Sequence, residues 1–495
     1  MQPQAHAPAD LAASFLASAL TPEERFIRLD EVEGWLAERA RAQRFAVRRI
    51  RFDELDQWHF AADPHRLVHD SGRFFAIEGV RVETSHGPVR SWQQPIIHQP
   101  EIGILGILTR CFDGVRYFLM QAKREPGNPP RSSPPHLLQL SPTVQATWSN
   151  YTRVHAGKRP RYLDYFLDPS RGRRLIDQLQ SEQGSRFLRK RNRNMIVEID
   201  DDVPLADGFV WLTLGQIKRL LGRDNLVNMD ARTVLACIPF ASASWQARSP
   251  AEISCGDEHA IAFGRRLEGF PSDLLRSAVE TDRARHSSDE ILSWLTEHKA
   301  GGHLKVERIP LDQVADWKQD DYSIRHRSGQ HFAVIAVDVE AGDREVVHWT
   351  QPLLEHFGCG CVGFVTQKHG GILHFLVRAS LEPGNRDLFE IGPTVACANP
   401  EQRLAAGTAP PFLELFQQPP TERIRYQAVQ SEEGGRFYHF QNRYTILELE
   451  PEASLEIPPD FTWMTLAQIF DLARHGLFNI EARNLLSCLN LQGTG

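Results

Sequence analysis

The chain repeats itself once, and that repetition limits what it can fold into more than any other feature. Glu125-Pro126-Gly127-Asn128 returns as Glu382-Pro383-Gly384-Asn385, and Pro142-Thr143-Val144 as Pro393-Thr394-Val395. Gln180-Ser181-Glu182 with Arg186-Phe187 returns as Gln430-Ser431-Glu432 with Arg436-Phe437. Trp211, Thr213-Leu214 and Gln216-Ile217 recur as Trp463, Thr465-Leu466 and Gln468-Ile469, and Ala231-Arg232 as Ala482-Arg483. Trp35-Leu36 matches Trp294-Leu295, and Trp58 matches Trp317. Anchors kept in order at a spacing of about 250 residues mark a duplicated domain, not a solenoid. The expected division is 1–240 for the first copy, 241–288 for a linker and 289–495 for the second copy. The linker has no counterpart in either copy, although Leu274, Leu275 and Ala278 have helical spacing.

Each copy mixes strands and helices. Thr21-Pro22-Glu23-Glu24 reads as a helix start, with a hydroxyl cap, proline in the first turn and acids at the positive end. The helix would run through Phe26, Leu29, Val32, Trp35 and Leu36. Strands are predicted at 47–52, 74–82, 103–109, 117–122 and 195–199, with Asp113-Gly114 as a hairpin turn, and a helix at 211–221. This order favours an α+β fold with mixed or antiparallel sheets. No Gly-x-Gly-x-x-Gly follows a strand and no Walker-type loop is present, so neither dinucleotide nor P-loop binding is indicated.

With 41% hydrophobic and 24% charged residues the chain has the composition of an ordinary globular protein. Its formal net charge of -7 provides no field for nucleic acid or an anionic membrane. Seven cysteines form no regular framework, and Cys359-Gly360-Cys361 lacks zinc-ligand spacing, so no metal site is expected. Reduced thiols in the cytoplasm are the expectation. The first basic residue is Arg25, which does not suit a secretory signal, and the apolar run 102–108 is too short to span a bilayer.

The stretch 140–194 is dense in groups that are costly to bury unpaired. It holds Gln145, Thr147, Ser149, Asn150, Tyr151, Arg153 and His155, then Glu182, Gln183, Arg189, Lys190, Arg191, Asn192, Arg193 and Asn194. A pocket for an anionic, hydroxyl-rich ligand is the simplest account. If 188–194 is an extended strand, Arg189, Arg191 and Arg193 share one face, suited to phosphate; a solvated strand face is the plain alternative. Tyr151 and His155 face one another only if their segment is helical. In the second copy the basic run becomes Tyr438-His439-Phe440-Gln441-Asn442-Arg443-Tyr444, which keeps only Asn192-Arg193 as Asn442-Arg443. Ser380 replaces Lys123, Ala396 replaces Gln145 and Gln402 stands opposite Tyr151. The Glu-Pro-Gly-Asn quartet, kept twice, reads as a turn whose angles Pro and Gly preset. Residues 178–184 resemble a worn Nudix box in which only Glu182 and Gly184 remain; one acid cannot hold the divalent cations such a box needs.

SPTVQATWSNYTRVH, YLDYF and LQSEQGSRFLRKRNRN together resemble the NDP-hexose 2,3-dehydratases of deoxysugar biosynthesis. The resemblance implies two tandem Nudix-like domains, a homodimer and a dTDP-sugar substrate. It implies conversion of dTDP-4-keto-6-deoxyglucose to the 3,4-diketo-2,6-dideoxy sugar without diphosphate hydrolysis, with a downstream 3-ketoreductase as a possible partner. The elimination is redox-neutral and calls for no cofactor. It needs a base for the C3 proton, an acid for the C2 hydroxyl and a cation by the C4 oxygen. The candidates are Glu182 or His155 as base, Tyr151 as proton donor and Lys123 as the cation. Arg153, Arg189, Arg191 and Arg193 are the expected diphosphate ligands, and Gln145, Asn150, Gln183, Asn192 and Asn194 the expected sugar or base contacts. A non-catalytic nucleotide-sugar-binding protein and a residual Nudix-type diphosphate hydrolase are the alternatives.

Because the worn box lacks its carboxylates, chelator-treated protein is expected to dehydrate the keto sugar as fast as untreated protein. A large loss restored by Mg²⁺ or Mn²⁺ would remove this reading.

Overall fold

The computed structural model of the protein describes residues 11–22, 24–130, 138–152, 158–241, 267–342 and 346–492. The fold is α+β, with four sheets and helices packed on them. Each half builds one seven-stranded mixed sheet. In the first half the order is Arg173–Ser181, Arg191–Glu198, Gly103–Phe112, Val115–Lys123 and Phe209–Thr213. The short strands Gln139–Ser141 and Val144–Ala146 join Val115–Lys123 and Gly103–Phe112. In the second half Ile424–Ser431, Gln441–Leu449, Cys359–His369, Ile372–Leu381 and Phe461–Met464 repeat that order. Phe389–Gly392 and Val395–Cys397 occupy the short-strand positions. One pairing in each sheet is parallel, Arg191–Glu198 on Gly103–Phe112 and its counterpart Gln441–Leu449 on Cys359–His369.

The two smaller sheets exchange strands. Phe45–Ile50, from the first copy, pairs antiparallel with Ala333–Ala341 of the second, from Phe45 opposite Ala341 to Ile50 opposite Ala336. Leu304–Ile309, from the second copy, pairs with Ala76–Thr84 of the first, from Leu304 opposite Thr84 to Ile309 opposite Gly79. The sequence copies therefore do not coincide with separate bodies. One hydrophobic cluster runs through both, joining Leu105, Phe118 and Ile217 to Phe364, Phe375 and Ile469.

Three expectations change. The helix expected from Thr21 starts later: Leu11–Leu20 is helical, Thr21 donates its N–H back to the Ala17 carbonyl, and the part of the expected helix that forms, with Val32, Trp35 and Leu36, is Val32–Ala42, entered through the 3-10 turn Leu29–Glu31. The acids after Thr21 resembled a start, but apolar Phe15, Leu16 and Leu20 bury the earlier segment instead. The expected helix 211–221 is a strand, Phe209–Thr213, followed by the helix Leu214–Leu221. Thr213 caps that helix through the Gln216 N–H, while Gln216 caps the Thr213 N–H in return. The supposed linker contains the second copy of the opening helix. In Gly269–Val279 the Ser277 hydroxyl donates to the Leu373 carbonyl and accepts from the Leu466 N–H, as Ser18 does with Arg116 and Leu214.

The Glu-Pro-Gly-Asn turns are kept for a reason other than backbone angle. Gly127 N–H donates to the Gly434 carbonyl at 2.7 Å, and Gly384 N–H to the Gly184 carbonyl at 2.7 Å. A Cβ on Gly127 would lie 1.6 Å from the Phe437 carbonyl oxygen, and one on Gly384 1.7 Å from that of Phe187. Each glycine leaves room for the other half's backbone. Gly127→Ala is expected to cost about 3 kcal/mol or more, since backbone must move. Gly34→Ala, on an exposed helix position with nothing within 4 Å, should stabilise by up to about 1 kcal/mol. Thermal denaturation of the two variants checks the contrast.

Candidate active site

A cavity of about 460 Å³ lies where the halves meet. Its floor is polar. Lys123 ends the strand Val115–Lys123, Glu125 sits in the turn after it, and Gln145 is the middle of Val144–Ala146. Asp230 lies in the first turn of Met229–Leu235, its N–H held by the Asn228 side chain at 2.8 Å. Gln145 ties these together. Its Oε1 accepts from Lys123 Nζ at 2.5 Å, and its Nε2 donates to Glu125 Oε1 at 3.3 Å and to Asp230 Oδ2. Lys123 Nζ is also 3.5 Å from Glu125 Oε1. Burial holds the Asp230 carboxyl well above the usual range, and Glu433, Glu125 and Glu182 push it the same way.

Glu182 enters from the loop after Arg173–Ser181. Its Oε1 accepts from Asn192 Nδ2 at 2.6 Å, while Oε2 has no hydrogen-bond partner among the described residues although the residue is only 5% exposed. Burial raises its pKa, opposed by Arg483 and Lys190. Lys190 is buried beside it with Nζ donating to the Glu101 carbonyl, and burial pulls it down to about 8. Among the described residues no cluster of His, Cys, Asp or Glu is arranged to hold a metal ion.

The second half closes the cavity. Glu433, Gly435 and Arg436 line it from the loop after Ile424–Ser431, and His348, Trp349 and Gln351 from His348–Glu355. Burial pushes Glu433 up to about 7, with Arg436 and Lys190 opposing and Glu125 and Glu182 adding to the rise. Trp58, Phe74, Phe75 and Trp349 supply an aromatic wall, and the Arg436 guanidinium lies 4.3 Å from the Phe75 ring centre.

A matching cavity of about 650 Å³ belongs to the second half, closed by the loop of the first. Lys123, Gln145, Lys190 and Glu433 are replaced there by Ser380, Ala396, Phe440 and Gln183, while Glu481 stands for Asp230 and Arg186 for Arg436. Glu432 is the equivalent of Glu182 but is fully bonded. Its Oε1 accepts from Asn442 at 2.6 Å and Tyr444 at 2.9 Å, and its Oε2 from Gln183 at 2.6 Å.

Of the residues singled out in the sequence, Lys123, Gln145, Asn150, Glu182 and Asn192 line the first cavity together. Asn150 also caps its own short helix, with Oδ1 accepting from Thr147 N–H at 2.9 Å. Gln183 lies in the other cavity. Asn194 is buried, donating to the Asn192 carbonyl at 3.2 Å, and lines neither cavity. The expected arginine face forms only in part and points away from the cavity, with Arg191 and Arg193 on one side of the strand and Arg189 outside it. Arg189 precedes the strand with φ +52, is exposed and donates its N–H to Gly384. Arg191 pairs with Asp387 at 2.8 Å and Arg193 with Asp177 at 2.6 Å, so none of the three lines the cavity. Strand alternation places Asn192 towards the cavity and its arginine neighbours away. Arg153 and His155 lie outside the described residues; Tyr151 ends the helix Trp148–Tyr151, and its side chain lies outside them too.

Sequence reasoning missed Glu125, Asp230, Glu433 and Arg436, and counted Lys190 in the polar stretch without giving it a role. A signal existed for one of them. Glu182-Gln183 against Glu432-Glu433 changes charge inside the most closely repeated motif, which marks position 433 as specific to its copy.

The family model for NDP-hexose 2,3-dehydratase matches residues 29–238 and 288–489. A protein of Saccharopolyspora spinosa named dTDP-4-dehydro-6-deoxy-alpha-D-glucopyranose 2,3-dehydratase is 46% identical over 479 residues, 96% of this chain and 94% of that protein. Proteins with the same name from Amycolatopsis orientalis and Streptomyces violaceoruber are 45% and 42% identical, covering 97% and 92% of this chain and 94% and 95% of their own lengths.

The buried Asp230 makes stability depend on pH. A carboxyl held above its unfolded value makes folding take up a proton. Stability is therefore greatest below the ordinary aspartate range and falls as pH rises from there towards the folded value. Asp230→Asn removes that dependence, and its melting temperature should exceed that of the parent by about 2 °C at pH 8, with the gap closing near pH 4.

Proposed function

The chain belongs to the NDP-hexose 2,3-dehydratase family, and on that basis we propose that it converts dTDP-4-keto-6-deoxy-D-glucose to dTDP-3,4-diketo-2,6-dideoxy-D-glucose in the first-half cavity. The C4 ketone makes the C3 proton acidic. A base removes it, the enediolate expels the C2 hydroxyl, and the resulting enol tautomerises to the diketone. Glu182 is the base and Lys123, steadied by Gln145, is the cation beside the C4 oxygen as charge develops there. The thymine lies against the aromatic wall, and Arg436 takes over the diphosphate role first given to Arg189, Arg191 and Arg193. Asn150 and Asn192 offer polar contacts to the sugar. Tyr151, Arg153 and His155 stay candidates on sequence grounds.

The single observation that carries this reading is the contrast between equivalent carboxylates. Among the described residues Glu182 keeps one buried oxygen without a hydrogen-bond partner beside the cavity, whereas both oxygens of Glu432 are hydrogen-bonded. A bonded carboxylate is a weaker base, so the second half serves binding or architecture. We assign the enzyme to the cytoplasm as a homodimer; no helix among the described residues is long and apolar enough to cross a membrane. The vicinal diketone product is electrophilic, which suits prompt consumption by a ketoreductase.

Incubation with the keto sugar followed by mass spectrometry should show loss of one water. Release of a nucleoside monophosphate would indicate hydrolysis, and binding without turnover a binding protein. Glu182→Gln should lower kcat at least about tenfold, and Glu432→Gln should leave it nearly unchanged, in variants with the parent's melting temperature. The inverse result would move the active site to the second half.

A further inference from the structure

We propose that Glu433, delivered into the first-half cavity by the second half of the chain, is the acid that protonates the departing C2 hydroxyl. The inference rests on the dehydratase reading above and adds a residue to it. Three observations place Glu433 in that role.

The first is position. Glu433 lines the same cavity as Glu182, Lys123 and Lys190, and it comes from the second half of the chain, on the loop whose Gly434 carbonyl accepts from the Gly127 N–H. An elimination that removes a proton from C3 and a hydroxyl from C2 has separate proton transfers that two groups can share, one as base and one as acid. Glu182 and Glu433 come from different halves of the molecule and both line this cavity. The second is asymmetry. At the equivalent place in the other cavity stands Gln183, which has no proton to give and is occupied in bonding Glu432. The cavity with the unpartnered Glu182 oxygen is also the one with an acid at this position. The third is charge. Glu125, Glu182 and Asp230 crowd Glu433, while Arg436 and Lys190 pull the other way, and burial dominates. The group therefore titrates near neutrality, at about 7, where a carboxyl can both hold a proton and release it.

The steps balance without an external proton. Glu182 takes the C3 proton, leaving the enediolate. The electron pair of the enediolate forms the C2=C3 bond as the C2–O bond breaks, and protonated Glu433 gives its proton to the leaving oxygen, which departs as water. Glu182, now protonated, returns its proton to C2, while the Glu433 carboxylate accepts the proton of the C3 hydroxyl. The product is the 3,4-diketone, and both carboxyls end in their starting states.

The test is Glu433→Gln in the full chain, assayed with dTDP-4-keto-6-deoxyglucose in heavy water. The expected result is a kcat at least about 100-fold lower, with KM and melting temperature little changed. Deuterium should still enter C3 of recovered substrate, because Glu182 can form the enediolate without its partner. A kcat within about threefold of the parent overturns the proposal. So does loss of C3 exchange together with turnover, which would put Glu433 in the first step. Glu433→Asp guards against a folding defect: it keeps an acid one methylene away and should turn over faster than the glutamine variant, and equal rates count against the proposal. Tyr151→Phe showing the loss of water release with persistent exchange, while Glu433→Gln does not, would give the role to Tyr151. A parent enzyme that releases no water would overturn the dehydratase reading itself.

Discussion

The structure depends on each half reaching into the other with a buried arginine. Arg483 of the second half is 1% exposed and donates to the Ser181 carbonyl and to the Thr233 hydroxyl of the first. Arg232 of the first half is fully buried, donates to the Ser431 carbonyl at 2.5 Å and lies 5.1 Å from the Tyr444 ring centre. A buried guanidinium is costly unless its donors and charge are met. Part of that demand is met across the duplication by the Ser181, Thr233 and Ser431 oxygens; Arg483 Nε also donates to the Phe478 carbonyl of its own half at 3.2 Å, and Arg232 Nε and Nη1 have no hydrogen-bond partner among the described residues. The exchanged strands and the close glycine contacts act in the same direction. The serines that receive these arginines precede Glu182 and Glu432, which fixes the two carboxylates relative to the opposite half.

That mutual insertion explains how one architecture holds two unlike cavities. Each is walled by one half and closed by the loop of the other, so a substitution in either copy alters chemistry in only one place. The first cavity gathered Lys123, Gln145, Lys190 and Glu433; the second has Ser380, Ala396, Phe440 and Gln183. Crowding four carboxylates with two lysines and an arginine in a partly dry space spreads their proton affinities. The Asp230 carboxyl is pushed well above the usual range, Glu433 is set near 7 and Lys190 near 8. The architecture tolerates this because the scaffold beneath, including the Glu182–Asn192 and Glu432–Asn442 bonds, is identical in both halves.

The sequence alone determined the duplication, the α+β class, the family and part of the lining of the candidate site: Lys123, Gln145, Asn150, Glu182 and Asn192 are near enough in sequence for their composition to signal one polar pocket, and they line one cavity. Local patterns reported what local physics governs, such as the strands 103–109 and 117–122 and the Asp113-Gly114 turn between them. They failed where two local readings compete, as at Trp211, where an apolar run before a capping threonine reads equally as strand or helix. Only the tertiary structure decided the rest. It turned Arg191 and Arg193 outward onto Asp387 and Asp177, because the facing of a strand is set by what packs on either side. It also brought Glu433 and Arg436 to a cavity whose Lys123, Gln145 and Glu182 lie hundreds of positions earlier in the chain. No spacing encodes that meeting. It follows from two copies of one fold exchanging strands and arginines, a long-range arrangement fixed by burial and charge pairing.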